Sequence, residues 1–150
     1  PYTGILSIFS TRIRRGLELP IFEDGQESRD FVHVSDVAAA FCAALARPEA
    51  PNQVINVGSG KKTPVLDIAA ALSRAFGAEP NLVVTGQYRL GDIRHNYADT
   101  ARLTGLLNAA PKVDIEEGLR RFADWVSTQA LPEDRLEEAN AELKTRNMMG

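Results

Sequence analysis

A chain of 150 residues, 44% hydrophobic and 25% charged, has the composition of one globular domain long enough to bury a real core. Its net charge of −3 lacks the basic excess of a nucleic-acid binder. The single cysteine, Cys42, excludes an internal disulfide, and no apolar run reaches the ~20 residues that span a bilayer.

These features predict a cytoplasmic protein with no membrane or nucleic-acid partner. Cys42 lies in an Ala-rich run and reads as a buried spacer. The chain starts at Pro1 without Met or a signal peptide, which reads as a cut inside a longer protein.

In chain order, residues 4–16 predict a helix. Ile5, Ile8, Phe9 and Ile13 recur at helical spacing, and Arg12, Arg14 and Arg15 crowd its end, reading as a solvated face that suits the helix dipole. Leu19-Pro20-Ile21-Phe22 predicts a short strand, with Pro20 suited to an edge. Residues 23–26 predict a turn, and the alternation of residues 30–34 a half-buried strand. Ser35 or Asp36 is expected to cap a helix to about Ala46, with an inward stripe of Val37, Ala40, Phe41, Ala44 and Leu45. Residues 47–52 read as a loop.

The run Val54-Ile55-Asn56-Val57 predicts a strand inside a sheet covered on both faces. Thr63 is expected to cap the next helix with Pro64 in its first position. Val65, Ile68, Ala69, Leu72 and Phe76 line one face, and Gly77 ends it. Residues 81–85 form a further strand, and residues 86–96 a polar loop. Asp99 starts a short helix carrying Leu103, Leu106 and Leu107. Asp114 opens another, with Glu117 at the capping-box position. Ile115, Leu119, Phe122, Trp125 and Val126 form its expected buried stripe, with Trp125 as a core anchor. Beyond Pro132 the chain turns polar. The expected organisation is a body of residues 1–132 and a polar helical or frayed tail of residues 133–150. Strands alternating with helices give an α/β class, and three or four short strands make the sheet incomplete.

Chemistry is constrained first by what is missing. Gly58-Ser59-Gly60 follows a strand and precedes a helix, yet Thr63 stands where a dinucleotide fingerprint needs its third Gly. The reading favoured is a tight connection rather than a cofactor loop. The residues four after Tyr2, Tyr88 and Tyr97 are Leu6, Asp92 and Ala101, so no Tyr-x-x-x-Lys dyad is present. His33 and His95 lack partners at metal-ligand spacing, and His33 reads as a structural imidazole. The chain therefore supplies no predicted catalytic, cofactor-binding or metal-ligating residue. What remains is anion chemistry. Arg29 follows a turn, and Arg89 precedes Gly91-Asp92. A guanidinium grips phosphate bidentately, although surface ion pairs are the commoner reading of two such arginines.

The ordered set Leu19-Pro20-Ile21-Phe22, Arg29-Asp30-Phe31-Val32-His33-Val34-Ser35-Asp36, Val54 to Gly60, Arg89-Leu90-Gly91-Asp92 and Tyr97-Ala98-Asp99 resembles the C-terminal part of extended short-chain dehydrogenase/reductases. The likeness is to the NAD-dependent epimerase/dehydratase family, and covers roughly Leu19 to Val126. It implies an incomplete Rossmann-like α/β fold: a substrate-binding lobe with a few short strands and about five helices. It also implies site roles. Arg29 and Arg89 would hold the diphosphate of a UDP- or dTDP-sugar, and Asp92 the ribose hydroxyls. Pro20 and Phe22 would line the base pocket, Val65 would pack on the nucleotide, and Thr3 lies near a substrate-contacting position. Phe31 replaces a Tyr common in epimerases. Residues 1–4 and 91–95 look closer to epimerases of deoxysugar nucleotides.

The implied parent is a nucleotide-sugar 4-epimerase that oxidises C4 transiently with NAD. That NAD would be bound mainly outside this chain, which alone would be inactive; the resemblance also allows a homodimeric parent. Alternatives are a dehydratase or reductase with the same lobe, or a stand-alone nucleotide-binding or scaffolding module.

Overall fold

The computed structural model describes residues 4–47 and 52–150. The elements run α1 (Ile5–Arg14), β1 (Leu19–Ile21), β2 (Ser28–Arg29), α2 (Val34–Leu45), β3 (Thr63–Pro64), α3 (Val65–Ala75), β4 (Leu82–Val84), α4 (Ala101–Leu107), α5 (Ile115–Ser127) and α6 (Leu136–Thr145). The α/β class follows directly. Among the described residues, no helix is long and apolar enough to cross a membrane. The chain folds into two compact units. The first comprises Pro1–Glu27, Pro64–Arg94 and Leu119–Gly150, the second Ser28–Thr63 and His95–Gly118.

In the first unit β1 and β4 pair in parallel, Leu19 opposite Leu82 and Ile21 opposite Val84. Pro20 is tolerated because a two-stranded ladder has only edge strands. α3 packs on both strands, and α1 on α3 and β1. The apolar face of α3 supplies Ile68, Ala69 and Leu72, all fully buried, against Leu19 and Ile21. Gly77, at φ +69, closes α3 as expected; its amide donates to the Arg74 carbonyl. Pro64, rather than Thr63, stands at the N-cap. The first amides of α3 are satisfied by the backbone instead, Val65 N–H donating to the Glu27 carbonyl and Leu66 N–H to that of Gly25.

Of the arginines closing α1, Arg15 is exposed and Arg14 partly so, but Arg12 is not solvated. Arg12 is 7% exposed; its Nε donates to the Glu18 carbonyl and its Nη1 pairs with Asp134 at 2.6 Å. Arg14 and Arg15 donate to the carbonyls of Gln129 and Pro132. These contacts fasten the segment leading into α6, whose Leu136 and Leu143 are buried. Within the polar tail, Leu136–Thr145 is helical. Its charged residues face water, and two leucines anchor it.

In the second unit α2 packs on α4 around Ala40, Leu103 and Leu107, with Ala43, Ala44, Ile55 and Val57 against them. β2 pairs with β3. The expected strand at residues 30–34 is displaced: β2 ends at Arg29, and the helix starts at Val34. His33 replaces Ser35 or Asp36 as the cap, its Nδ1 accepting from the Ser35 amide at 3.2 Å. Residues 54–57 form no strand. Ile55 and Val57 face the core while Val54 is 78% exposed, so only one face is covered, and no ladder partner lies alongside among the described residues. On α2 the inward stripe is narrower than expected. Ala40 points in, whereas Phe41, Leu45 and Cys42 are exposed.

α5 is capped as the sequence predicts, Asp114 accepting from the Glu117 amide at 2.8 Å. Its inward positions beyond Gly118 are Leu119, Ala123 and Val126. Trp125 falls on the opposite side of a 3.6-residue helix and is 60% exposed, so it is not a core anchor. The consequence is a contrast measurable by urea unfolding. Leu72→Ala should cost about 2–5 kcal/mol. Trp125→Ala should stay within about 0.5 kcal/mol, as surface substitutions do.

Candidate functional site

In the first unit, parallel pairing sends the chain out of β1 and β4 at the same end. In open α/β sheets, ligands bind beyond the carboxyl ends of parallel strands. The two exit loops are joined: Glu23 N–H donates to the Gln87 carbonyl at 2.7 Å. That link sets Arg89 over the Phe22 ring, guanidinium carbon to centroid 5.1 Å, a cation–π arrangement. Arg89 Nε is buried and meets no hydrogen-bond acceptor among the described residues. The Asp92 amide donates to the Arg89 carbonyl, so one turn carries both side chains. The Asp92 carboxylate is exposed and accepts from the Ile93 amide at 3.0 Å.

The turn after β1 receives the start of α3, Leu66 N–H donating to the Gly25 carbonyl. Gly25, at φ +77, lies so close to Leu66 that an added Cβ would meet Ile21 Cγ2 at 2.8 Å and Leu66 Cβ at 3.2 Å. Buried Val65 and half-buried Pro20 and Phe22 therefore belong to the same end of the same unit as Arg89 and Asp92. Arg29 belongs to the second unit. Thr3 lies outside the described residues.

Beside this turn the carboxylates of Glu23, Asp24 and Glu27 offer oxygens within 4.8 Å of one another. Arg94 bridges two of them, at 2.8 Å to Glu23 and 2.7 Å to Asp24. Its hydrogen bond holds the Asp24 carboxyl below the usual range, and burial pushes that of Glu27 up, helped by neighbouring Glu23. The group forms an ion-pair network in which Arg94 supplies the countercharge.

In the second unit Asp30 is the hub. Its carboxylate accepts from the amides of Ser59 (2.7 Å), Gly60 (2.9 Å) and Ala98 (3.1 Å) and from the Ser59 hydroxyl. Gly58 makes this possible: a Cβ there would lie 2.6 Å from both Asp30 Oδ2 and Ala98 Cβ. Burial raises the Asp30 carboxyl pKa, but the hydrogen bonds outweigh it and hold the group below its ordinary value.

The consequence for cofactor chemistry is direct. A Gly-rich loop cradles pyrophosphate with its backbone amides. Here the amides of Ser59 and Gly60 already serve a carboxylate. The loop forms a tight connection whose Ser59 and Gly60 amides are taken up by Asp30.

The loops gathered by Asp30 line a cavity of about 380 Å³ formed by Arg29, Asp30, Asn56, Val57, Asn96, Tyr97 and Ala98. Lys62 stands over the Tyr97 ring at 4.6 Å. His95 Nδ1 meets the Ser28 hydroxyl at 2.9 Å, and Asn56 Nδ2 donates to the Asp99 carbonyl at 3.3 Å. Asn56, Asn96 and Lys62 were not legible as site residues. Their positions depend on loops closing over one carboxylate, and no local pattern encodes that.

Residues 2–58 match the NAD dependent epimerase/dehydratase family. A dTDP-L-rhamnose 4-epimerase of Burkholderia thailandensis is 36% identical over 128 residues, which is 85% of this chain and 35% of that relative. The chain belongs to the NAD-dependent epimerase/dehydratase family. Two solved family members extend the likeness to structure. The UDP-glucose 4-epimerase of Thermotoga maritima, solved with UDP-glucose, superposes with a TM-score of 0.73 at 33% identity, covering 85% of this chain and 40% of that one. The UDP-N-acetylglucosamine 4-epimerase of Methanobrevibacter ruminantium, in complex with UDP-N-acetylmuramic acid, gives 0.75 at 29%, covering 87% and 41%. The chain thus spans well under half the length of each.

The Asp30 hub makes stability depend on acid. A depressed native pKa contributes stability that is present above the unfolded value of about 3.9 and is lost as pH falls through the native value. Urea unfolding should show Asp30→Asn about 1–3 kcal/mol less stable than wild type at neutral pH. The gap should narrow on acidification; a constant gap would show that the charge of Asp30 is not what holds the loops.

Proposed function

We propose that this chain is the nucleotide-binding portion of a nucleotide-sugar 4-epimerase that works with NAD. The observation that carries the reading is Arg89: a guanidinium seated on the Phe22 ring, its Nε without an acceptor, where two parallel strands end. An aromatic ring beside a planar cation suits a ligand that joins a flat base to a diphosphate. In this reading Arg89 grips the diphosphate of a UDP- or dTDP-sugar. Asp92 accepts from ribose hydroxyls, and Pro20, Phe22 and Val65 border the base. Arg29 has a phosphate-holding role in the second unit, and Thr3 a contact with substrate. The related 4-epimerases support the reaction class.

The division of labour follows from what the chain contains. It has no Tyr-x-x-x-Lys dyad, and the Ser59–Gly60 amides serve Asp30. Redox chemistry at the sugar therefore falls to residues outside this chain, which supplies binding energy from the nucleotide. Such energy is used to position the reacting carbon.

Calorimetry tests the reading. UDP and dTDP should bind, and Arg89→Ala should weaken binding about 10–100-fold, the scale of one charge-assisted contact. NAD should give no heat. Unchanged affinity in Arg89→Ala would remove the assigned role, and absence of any nucleotide binding would leave a purely structural domain.

A further inference from the structure

The loop that carries Arg89 has one partner that neither its sequence nor the proposed chemistry explains. After α6 the chain reverses at Asn147, φ +54, and runs antiparallel to residues 88–90. Tyr88 N–H donates to the Gly150 carbonyl at 2.8 Å, and Gly150 N–H returns to Tyr88 at 3.0 Å. Leu90 N–H donates to the Met148 carbonyl at 2.9 Å. Arg89 and Met149 thus face each other as the non-hydrogen-bonded pair of the ladder, the closely spaced kind, with side chains on one face. Met149 is 8% exposed, while Met148 beside it is 43% exposed. The strand is itself anchored: Met148 N–H donates to the Leu143 carbonyl, Leu143 is buried, and Asp134 before α6 pairs with Arg12. Arg89 also borders a cavity of about 300 Å³ together with Ser7, Thr11, Glu133, Glu142 and Leu143.

We propose that the segment Met148–Gly150 is a positioning element of the nucleotide site, clamping the backbone on both sides of Arg89 so that its guanidinium stays aimed over Phe22. The inference rests on the phosphate-gripping role of Arg89. Its physical basis is preorganisation. Residues 86–94 belong to no regular element, and Gly86 and Gly91, at φ +69 and +80, leave the loop free to turn at either end. An arginine on an unpaired loop must be ordered when ligand binds; one held in a ladder is ordered beforehand. The position of Gly150 is also specific, because a Cβ there would meet the Tyr88 ring at 2.7 Å.

The test is a double-mutant cycle on UDP and dTDP affinity. Deletion of residues 148–150 should weaken binding about ten-fold in the Arg89 chain and have no effect in the Arg89→Ala chain. Gly150→Pro, which removes one donor and adds bulk against Tyr88, should give a smaller loss with the same dependence on Arg89. It serves as the second variant if the deletion fails to fold. Two results overturn the clamp: unchanged affinity in both variants while Arg89→Ala weakens binding, or equal losses with and without Arg89. If Arg89→Ala itself changes nothing, the assignment of Arg89 fails, and the clamp falls with it.

Discussion

A single carboxylate organises the second unit. Asp30 draws in the Ser59 and Gly60 amides, the Ser59 hydroxyl and the Ala98 amide, joining three stretches of chain far apart in sequence. The closeness requires Gly58, which has no Cβ to collide with Asp30 or Ala98. This one requirement decides what a Gly-Ser-Gly loop after an apolar run can do. Backbone amides aimed at an anion are a phosphate site when the anion is a ligand. When the anion is a residue of the protein, they are a brace.

The first unit follows a different constraint, the direction of two strands. Because β1 and β4 run in parallel, their exit loops leave from one end, and a backbone hydrogen bond between Glu23 and Gln87 ties them. The pairing of Arg89 with Phe22 results from that tie. The antiparallel contact with Met148–Gly150 then fixes the loop from its other side. A cation in a defined place, with its Nε unused, is what distinguishes this end of the unit from an ordinary charged surface.

Much of this was legible in the sequence where local rules act. Asp114 and Gly77 delimit helices as expected, and the α3 face is buried at each of Val65, Ile68, Ala69 and Leu72. The Arg-Leu-Gly-Asp motif does place Arg89 and Asp92 on one turn. The misreadings arose where tertiary context overrides pattern. Val54–Val57 has the composition of a covered strand, yet a strand also needs a ladder partner. Phe41, Leu45 and Trp125 are apolar but sit off the inward faces of their helices, which small residues such as Ala40 and Ala123 occupy. His33 takes the cap, its ring nitrogen accepting from the Ser35 amide two residues on. Arg12 has the sequence context of a surface cation, yet it meets Asp134, 122 positions away.

The central proposal is that the side chain of Arg89 serves a nucleoside diphosphate and that the Ser59 and Gly60 amides do not serve a dinucleotide. A titration followed by ¹H–¹⁵N NMR addresses both halves in one spectrum series. The account predicts that UDP or dTDP shifts the Arg89 Nε–H resonance, while NAD leaves the Ser59 and Gly60 amides in place. Movement of those two amides with NAD, and an Arg89 resonance indifferent to nucleotide, would contradict it.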